Sequence, residues 1–300
     1  MFVKILISKF LKKKLLEKLD KRLKIAIIGS RGYPYVYSGY ETLVKELSER
    51  LIKKGHTVRV YCHRSLFKYK PRFVNGIELI YMPSIETKFL SQFTNSFFSF
   101  VHVCFSKNDV VLVVNSANGP FGLLTKIFRK KTCINVDGME WLRPKWKGMG
   151  SVYFRFASKL ATLFFDEIIT DSNEMKKVYL SKYRTKSTVI AYGSTMLKSN
   201  KTNILKLFNL TKGEYYLVVG RLIPDNNSKL IINGFLRSNS NKKLVIVGDV
   251  PYIDEYADSV KELASDKIIF RYLISQVWRL LLSTQKNYIE NHSHYQYNIP

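Results

Sequence analysis

The sequence predicts an α/β protein built of two doubly wound units, the second of them incomplete. Three observations carry this. From Lys24 onward, short apolar runs of strand length alternate with stretches of helical periodicity, the pattern of a mostly parallel sheet covered on both faces. A polar stretch rich in Lys and Asn, Thr195 to Lys212, interrupts the alternation. It restarts at Tyr215 and then stops short. A length of 300 residues exceeds the ~150 of a typical single core, and 46% hydrophobic residues with 14% aromatics can fill two.

The elements follow in order. Residues 1–23 place Val3, Ile7, Leu11, Leu15 and Leu19 on one helical face, with Lys9, Lys12, Lys13 and Lys18 largely elsewhere. This basic amphipathic extension suits an anionic membrane surface and suits equally a helix packed on its own protein; its apolar run is too short for a span. Lys24 to Ile28 reads as a buried strand closed by Gly29-Ser30-Arg31-Gly32. A helix begins near Ser38, where Ser38 and Glu41 have capping-box spacing, and ends at Gly55. Strands are predicted at Thr57–Cys62, Ile77–Tyr81, Val110–Val114, Thr132–Val136, Glu167–Thr170 and Ser187–Ala191. A second capping box, Asp171 with Glu174, opens a helix after the fifth of these.

The resulting division is an extension at 1–23, a first domain at 24–194, a linker at 195–213 and a second domain at 214–300. The second domain has strands at Tyr215–Val219 and Lys243–Val247, a helix from about Asn227 and a possible helix over Arg271–Gln285. Its 87 residues fall below the ~150 of a full half, so the chain reads as truncated or frameshifted.

In open parallel sheets, ligands sit beyond the carboxyl ends of the strands. The loop from Gly29 to Gly39 lies at such an end, and Gly29, Gly32 and Gly39 would let a phosphate approach the backbone. Its spacing is neither a dinucleotide fingerprint nor a P-loop, and Cys62-His63-Arg64 replaces the acid expected of a nicotinamide enzyme. After a later strand, Asp137, Glu140, Trp141, Arg143 and Trp146 cluster, a set able to accept hydrogen bonds from a sugar and cover its apolar face. Arg221 follows the strand Tyr215–Val219, where a guanidinium suits phosphate.

The net charge of +26, from 49 Lys and Arg against 23 Asp and Glu, attracts anions. Its scattered lysines lack the Arg and aromatic interleaving of a nucleic-acid groove, so no nucleic-acid partner is expected. Cys62, Cys104 and Cys133 match no metal spacing and read as buried thiols, which fits a cytoplasmic protein.

The segments IAIIGSRGYPYVYSGYETLVKELSERLIKKGHTVRVYCH (25–63), INVDGMEWLRPKW (134–146), ITDSNEMKKVY (169–179), VIAYGS (189–194) and YYLVVGRLIPDNN (215–227) together resemble glycosyltransferase family 4. They resemble most the rhamnosyltransferase-like branch of bacterial capsule and cell-wall synthesis. The resemblance implies a GT-B fold of two Rossmann-like domains, with no cofactor and no required metal. It implies a nucleotide-sugar donor, dTDP-rhamnose in this branch, and a lipid-linked glycan acceptor at the inner face of the plasma membrane. Gly29, Gly32, Gly39 and Arg221 would then bind the donor. Glu140, Trp141 and Arg143 would bind the acceptor, and Asp137 would be catalytic. Two departures stand out: Asn226 occupies the place of the family's common lysine, and the pair of donor-binding glutamates has no counterpart after Phe270. A non-catalytic remnant that binds glycan or membrane is the alternative.

Overall fold

The computed structural model describes residues 22–34, 39–87, 90–143, 146, 148–193, 205–206, 208–250 and 254–271. The chain divides into two compact units, Met1–Gly193 and Ser194–Pro300. Residues 1–21 of the basic extension expected over 1–23, the Ser38 cap, most of the linker and all but the first residue of the helix expected over Arg271–Gln285 lie outside the described residues.

The first unit runs β1 (Lys24–Ile28), α1 (Gly39–Lys53), β2 (Thr57–His63), β3 (Phe73–Val74), β4 (Ile77–Met82), α2 (Leu90–Phe105), β5 (Val110–Val114), α3 (Gly122–Ile127), β6 (Thr132–Val136), α4 (Met149–Phe164), β7 (Glu167–Thr170), α5 (Asn173–Tyr183) and β8 (Thr188–Val189). These strands form one sheet in the order β3-β4-β2-β1-β5-β6-β7-β8. Every pairing is parallel except the β3–β4 hairpin.

The apolar runs explain the layering. Side chains alternate across a strand, so Ile25 and Ile27 join one core with Val44, Leu47 and Leu51 of α1. Ala26 and Ile28 join the opposite core, with Phe100 of α2, Phe121, Ala161 of α4 and Tyr179 of α5. Each large apolar side chain so buried contributes roughly 1.5–3 kcal/mol. Both faces being covered, β5 and β6 are buried at every position.

The second unit repeats the alternation with β9 (Tyr215–Val219), α6 (Ser228–Arg237), β10 (Lys243–Val247), α7 (Glu255–Lys261) and β11 (Ile268–Arg271). Its sheet is parallel, in the order β11-β10-β9. Leu222, Ile232, Leu244, Ile246, Val260 and Ile268 form its core.

Several expectations need correction. The strand expected over Ser187–Ala191 is only Thr188–Val189, at the edge of the sheet. The hairpin strand β3 is too short for a periodicity signal. Strand β11 occupies residues to Arg271, the position at which a helix was expected to start. Helix α5 is capped by Ser172 and not by Asp171. Ser172 has extended backbone angles and its side chain accepts from the Met175 amide at 3.3 Å, while Asp171 Oδ1 accepts from the Ser172 hydroxyl.

Candidate functional site

Strand order reverses between β1 and β5, which places a topological switch at their carboxyl ends. Gly29 follows β1 there with φ of 97°, and a Cβ at this position would meet the Val114 carbonyl at 2.3 Å. Gly32, with φ of 129°, would meet Cys62 at 2.8 Å. Both glycines are therefore required by close backbone packing, whatever ligand the loop receives. Gly39 differs: it opens α1 and has no atom within 4 Å of a built Cβ.

Polar side chains hold this loop from behind. Glu41, in the first turn of α1, accepts from the Arg31 amide at 3.0 Å. Gln92 of α2 reaches the Gly29 carbonyl at 3.4 Å, the Ser96 hydroxyl at 3.3 Å and His63 Nε2 at 3.2 Å. His63 ends β2 inside the protein, and its Nδ1 has no partner among the described residues. Burial pushes its imidazole down to about 4, against the hydrogen bond that Nε2 donates to Gln92 Oε1, and the nearby Arg31 adds to the shift.

A second group gathers at the carboxyl ends of β6 and β7. Asp137 directly follows β6 and is half-buried, with Oδ1 accepting from the Gly138 amide at 2.9 Å. Tyr192 lies beyond β8 and donates to Asn135 Oδ1 at 2.9 Å. Asn135 is buried, and its Nδ2 has no partner among the described residues. Burial raises the Tyr192 phenol, and Asp137 and Asp171 raise it further. Tyr40 of α1 is raised well above the ordinary phenol value by burial, then by Asp137, Tyr192 and Glu140. Both phenols therefore keep their protons at neutral pH beside a carboxylate, that of Tyr192 already directed at Asn135.

The expected acceptor residues are largely occupied with one another. Glu140 accepts from Trp146 Nε1 at 3.0 Å and pairs with Arg143 at 3.1 Å. Trp141 was expected to offer a ring face to a sugar; instead it is 6% exposed, with the Lys182 ammonium 4.2 Å over its ring and Tyr183 edge-on. These contacts make a clasp that fixes the loop carrying Asp137.

In the second unit, Arg221 follows β9 by one residue and its guanidinium has no hydrogen-bond or ion-pair partner among the described residues. Asn226 Nδ2 donates to the Arg221 carbonyl at 2.7 Å, which pins the turn. Gly248 comes so close to this turn that a Cβ would meet the Gly220 carbonyl at 1.8 Å. The structure thus brings Asp137, Glu140, Trp141 and Arg143 together on one loop, and sets Arg221 at the same kind of strand end in the other unit. Tyr40 and Tyr192 were not singled out from sequence, because only the fold joins them to Asp137. Among the described residues no group of His, Cys, Asp and Glu could hold a metal ion.

The family model described as "Domain of unknown function (DUF1972)" matches residues 22–195, more than half of the chain. A curated relative from Klebsiella pneumoniae, described as an uncharacterized 42.6 kDa protein in the cps region, is 36% identical over 61 residues. That match spans 20% of this chain and 16% of the relative, far less than two thirds of its length. Among solved structures, Anabaena HepE in complex with UDP-glucose superposes with a TM-score of 0.63 at 13% identity, over 87% of this chain and 72% of that one. Arabidopsis thaliana UGT89C1 complexed with UDP-L-rhamnose gives 0.51 at 11% identity, over 84% and 70%. At such identities the likeness establishes the fold, which is GT-B.

Proposed function

From the premise that this chain belongs to the DUF1972 family, we propose that it is a glycosyltransferase acting on a nucleotide-diphosphate sugar, with a lipid-linked glycan as acceptor in cell-surface polysaccharide synthesis. The observation that carries the reading is the gathering of Asp137, Tyr40, Tyr192 and Asn135 at the carboxyl edge of a sheet in a GT-B chain. Asp137 accepts the proton of the attacking acceptor hydroxyl, a role for which a carboxylate beside two protonated phenols is suited. Tyr40 orients a hydroxyl group of the bound sugar through its O–H donor, and the Tyr192 oxygen, its own proton given to Asn135, accepts from another. The Glu140, Trp146 and Arg143 clasp holds Asp137 in place.

Arg221 neutralises charge on the departing diphosphate. The donor in this reading is dTDP-rhamnose, which rests on the rhamnosyltransferase-like motifs, while the cps-region relative bears only on the polysaccharide role. The work is at the inner membrane face. Incubating the full chain with membranes and either labelled dTDP-rhamnose or labelled UDP-glucose tests this directly. Label entering the lipid extract only from dTDP-rhamnose is expected. Entry only from UDP-glucose removes the rhamnose assignment, and entry from neither removes the transferase reading.

A further inference from the structure

Helix α2 is apolar on both sides: Phe100, Val103 and Cys104 are buried in the core, yet further phenylalanines face outward. A surface helix normally turns its apolar stripe to the core. Here Asn95, Ser96 and Ser99 are buried against the sheet, while Phe93, Phe97, Phe98 and Phe105 stand exposed. The inward polar groups are satisfied locally: Asn95 donates to the Met82 carbonyl at 3.2 Å and Ser99 to the Asn95 carbonyl at 2.7 Å.

The exposed aromatics continue onto two further helices on the same side of the sheet. Phe105 meets Phe128, just past α3, with ring centroids 5.1 Å apart. Lys126 of α3 donates to the Leu163 carbonyl of α4 at 2.7 Å, so these helices are also in contact. Ile127 on α3 is 64% exposed, and Val152 and Phe156 on α4 are 67% and 55% exposed. Phe105 itself is 75% exposed. One apolar surface therefore runs across α2, α3 and α4, broader than the scattered single residues of an ordinary surface.

Its charge selects the occupant. The segments 90–107, 121–131 and 149–165 contain no Asp or Glu, whereas Lys126, Arg129, Lys131, Arg155 and Lys159 border the apolar side chains. None of these five bases has an ion-pair partner among the described residues. A second copy of a chain with net charge +26 would bring like charge against this rim, and the chain's own residues 1–22 are also strongly basic. An anionic lipid surface supplies both an apolar phase for the aromatics and phosphates for the rim.

We propose that the α2–α3–α4 face docks on an anionic bilayer, inserting Phe105, Ile127 and Phe156 among the acyl chains while the surrounding Lys and Arg bind headgroup phosphates. No helix of the described residues is long and apolar enough to cross a membrane, so the contact is peripheral. The proposal stands apart from the sugar-nucleotide reading and requires no turnover. Helix α4 starts just after the loop that carries Asp137, so docking brings that loop close to the lipid surface.

The test uses the full chain carrying an environment-sensitive dye at Phe105→Cys, with Glu46→Cys on α1 as the control from the opposite face of the sheet. Vesicles of phosphatidylcholine and phosphatidylglycerol in equal parts should float the protein and blue-shift the dye at 105 but not at 46. Pure phosphatidylcholine vesicles should bind far less. Replacing Phe105, Ile127 and Phe156 together with Ser should lower partitioning more than about tenfold, with an unchanged melting temperature. Flotation with a water-like dye at 105 would overturn the proposal by assigning membrane binding to another segment. Absence of flotation overturns it outright, and a blue shift in a dimer without vesicles would assign the face to a second copy.

Discussion

The two sheets end in different chemistry. The carboxyl edge of the first gathers two protonated phenols and a buried amide around the Asp137 carboxylate. That of the second offers Arg221, whose backbone is pinned by Asn226 while its guanidinium is left without a partner. The packing differs in the same sense: β5 is buried throughout, whereas Tyr216, Leu217 and Val219 of β9 are exposed. The lesson is that one folding pattern, repeated, can present opposite charges at its strand ends, because the strand sets only a position and the residues after it set the chemistry.

The largest expected effect falls on the first edge. Asp137→Asn should lower the rate of sugar transfer by about 10²–10⁴-fold, the usual range for losing a general base, while changing donor affinity less than about twofold. Separate measurement of kcat and of donor dissociation decides this. A collapse of donor affinity would erase the contrast between the two edges.

A smaller effect concerns the brace behind the Gly29 loop. The folded His63 imidazole titrates at about 4, below its unfolded value near 6.5, so the unfolded chain binds more protons between these pH values. Stability should therefore fall as pH drops from about 6.5 toward 4, by at most about 3 kcal/mol, and His63→Gln should flatten that slope. Urea melts at several pH values read it out. An unchanged slope in the variant would place the titrating group elsewhere.

Much of the fold was legible because both cores are fed by uninterrupted apolar runs, as in Val110–Val114 and residues 25–28. The hairpin strand β3 was not, since two residues carry no period. The orientation of α2 was hidden as well: its apolar and small polar residues have helical spacing, but only packing tells which stripe faces the sheet. At the candidate site, the positions of Asp137 and Arg221 were legible because each stands shortly after a strand. Tyr40 and Tyr192 lie in distant segments and acquire their setting beside Asp137 only through the sheet. Trp141 misled because an indole beside carboxylates looks like a sugar platform, whereas here Lys182 and Tyr183 cover it.

The central claim, that the chain binds a nucleotide-diphosphate sugar, is tested most directly by calorimetric titration of the full chain with dTDP-rhamnose, UDP-glucose and the free nucleosides. Saturable binding of a diphosphate sugar is predicted, weakened about tenfold or more by Arg221→Ala through loss of a charge-assisted contact, with nucleoside binding unchanged. Absence of binding by either diphosphate sugar, or equal loss for sugar nucleotide and nucleoside in Arg221→Ala, would contradict the account.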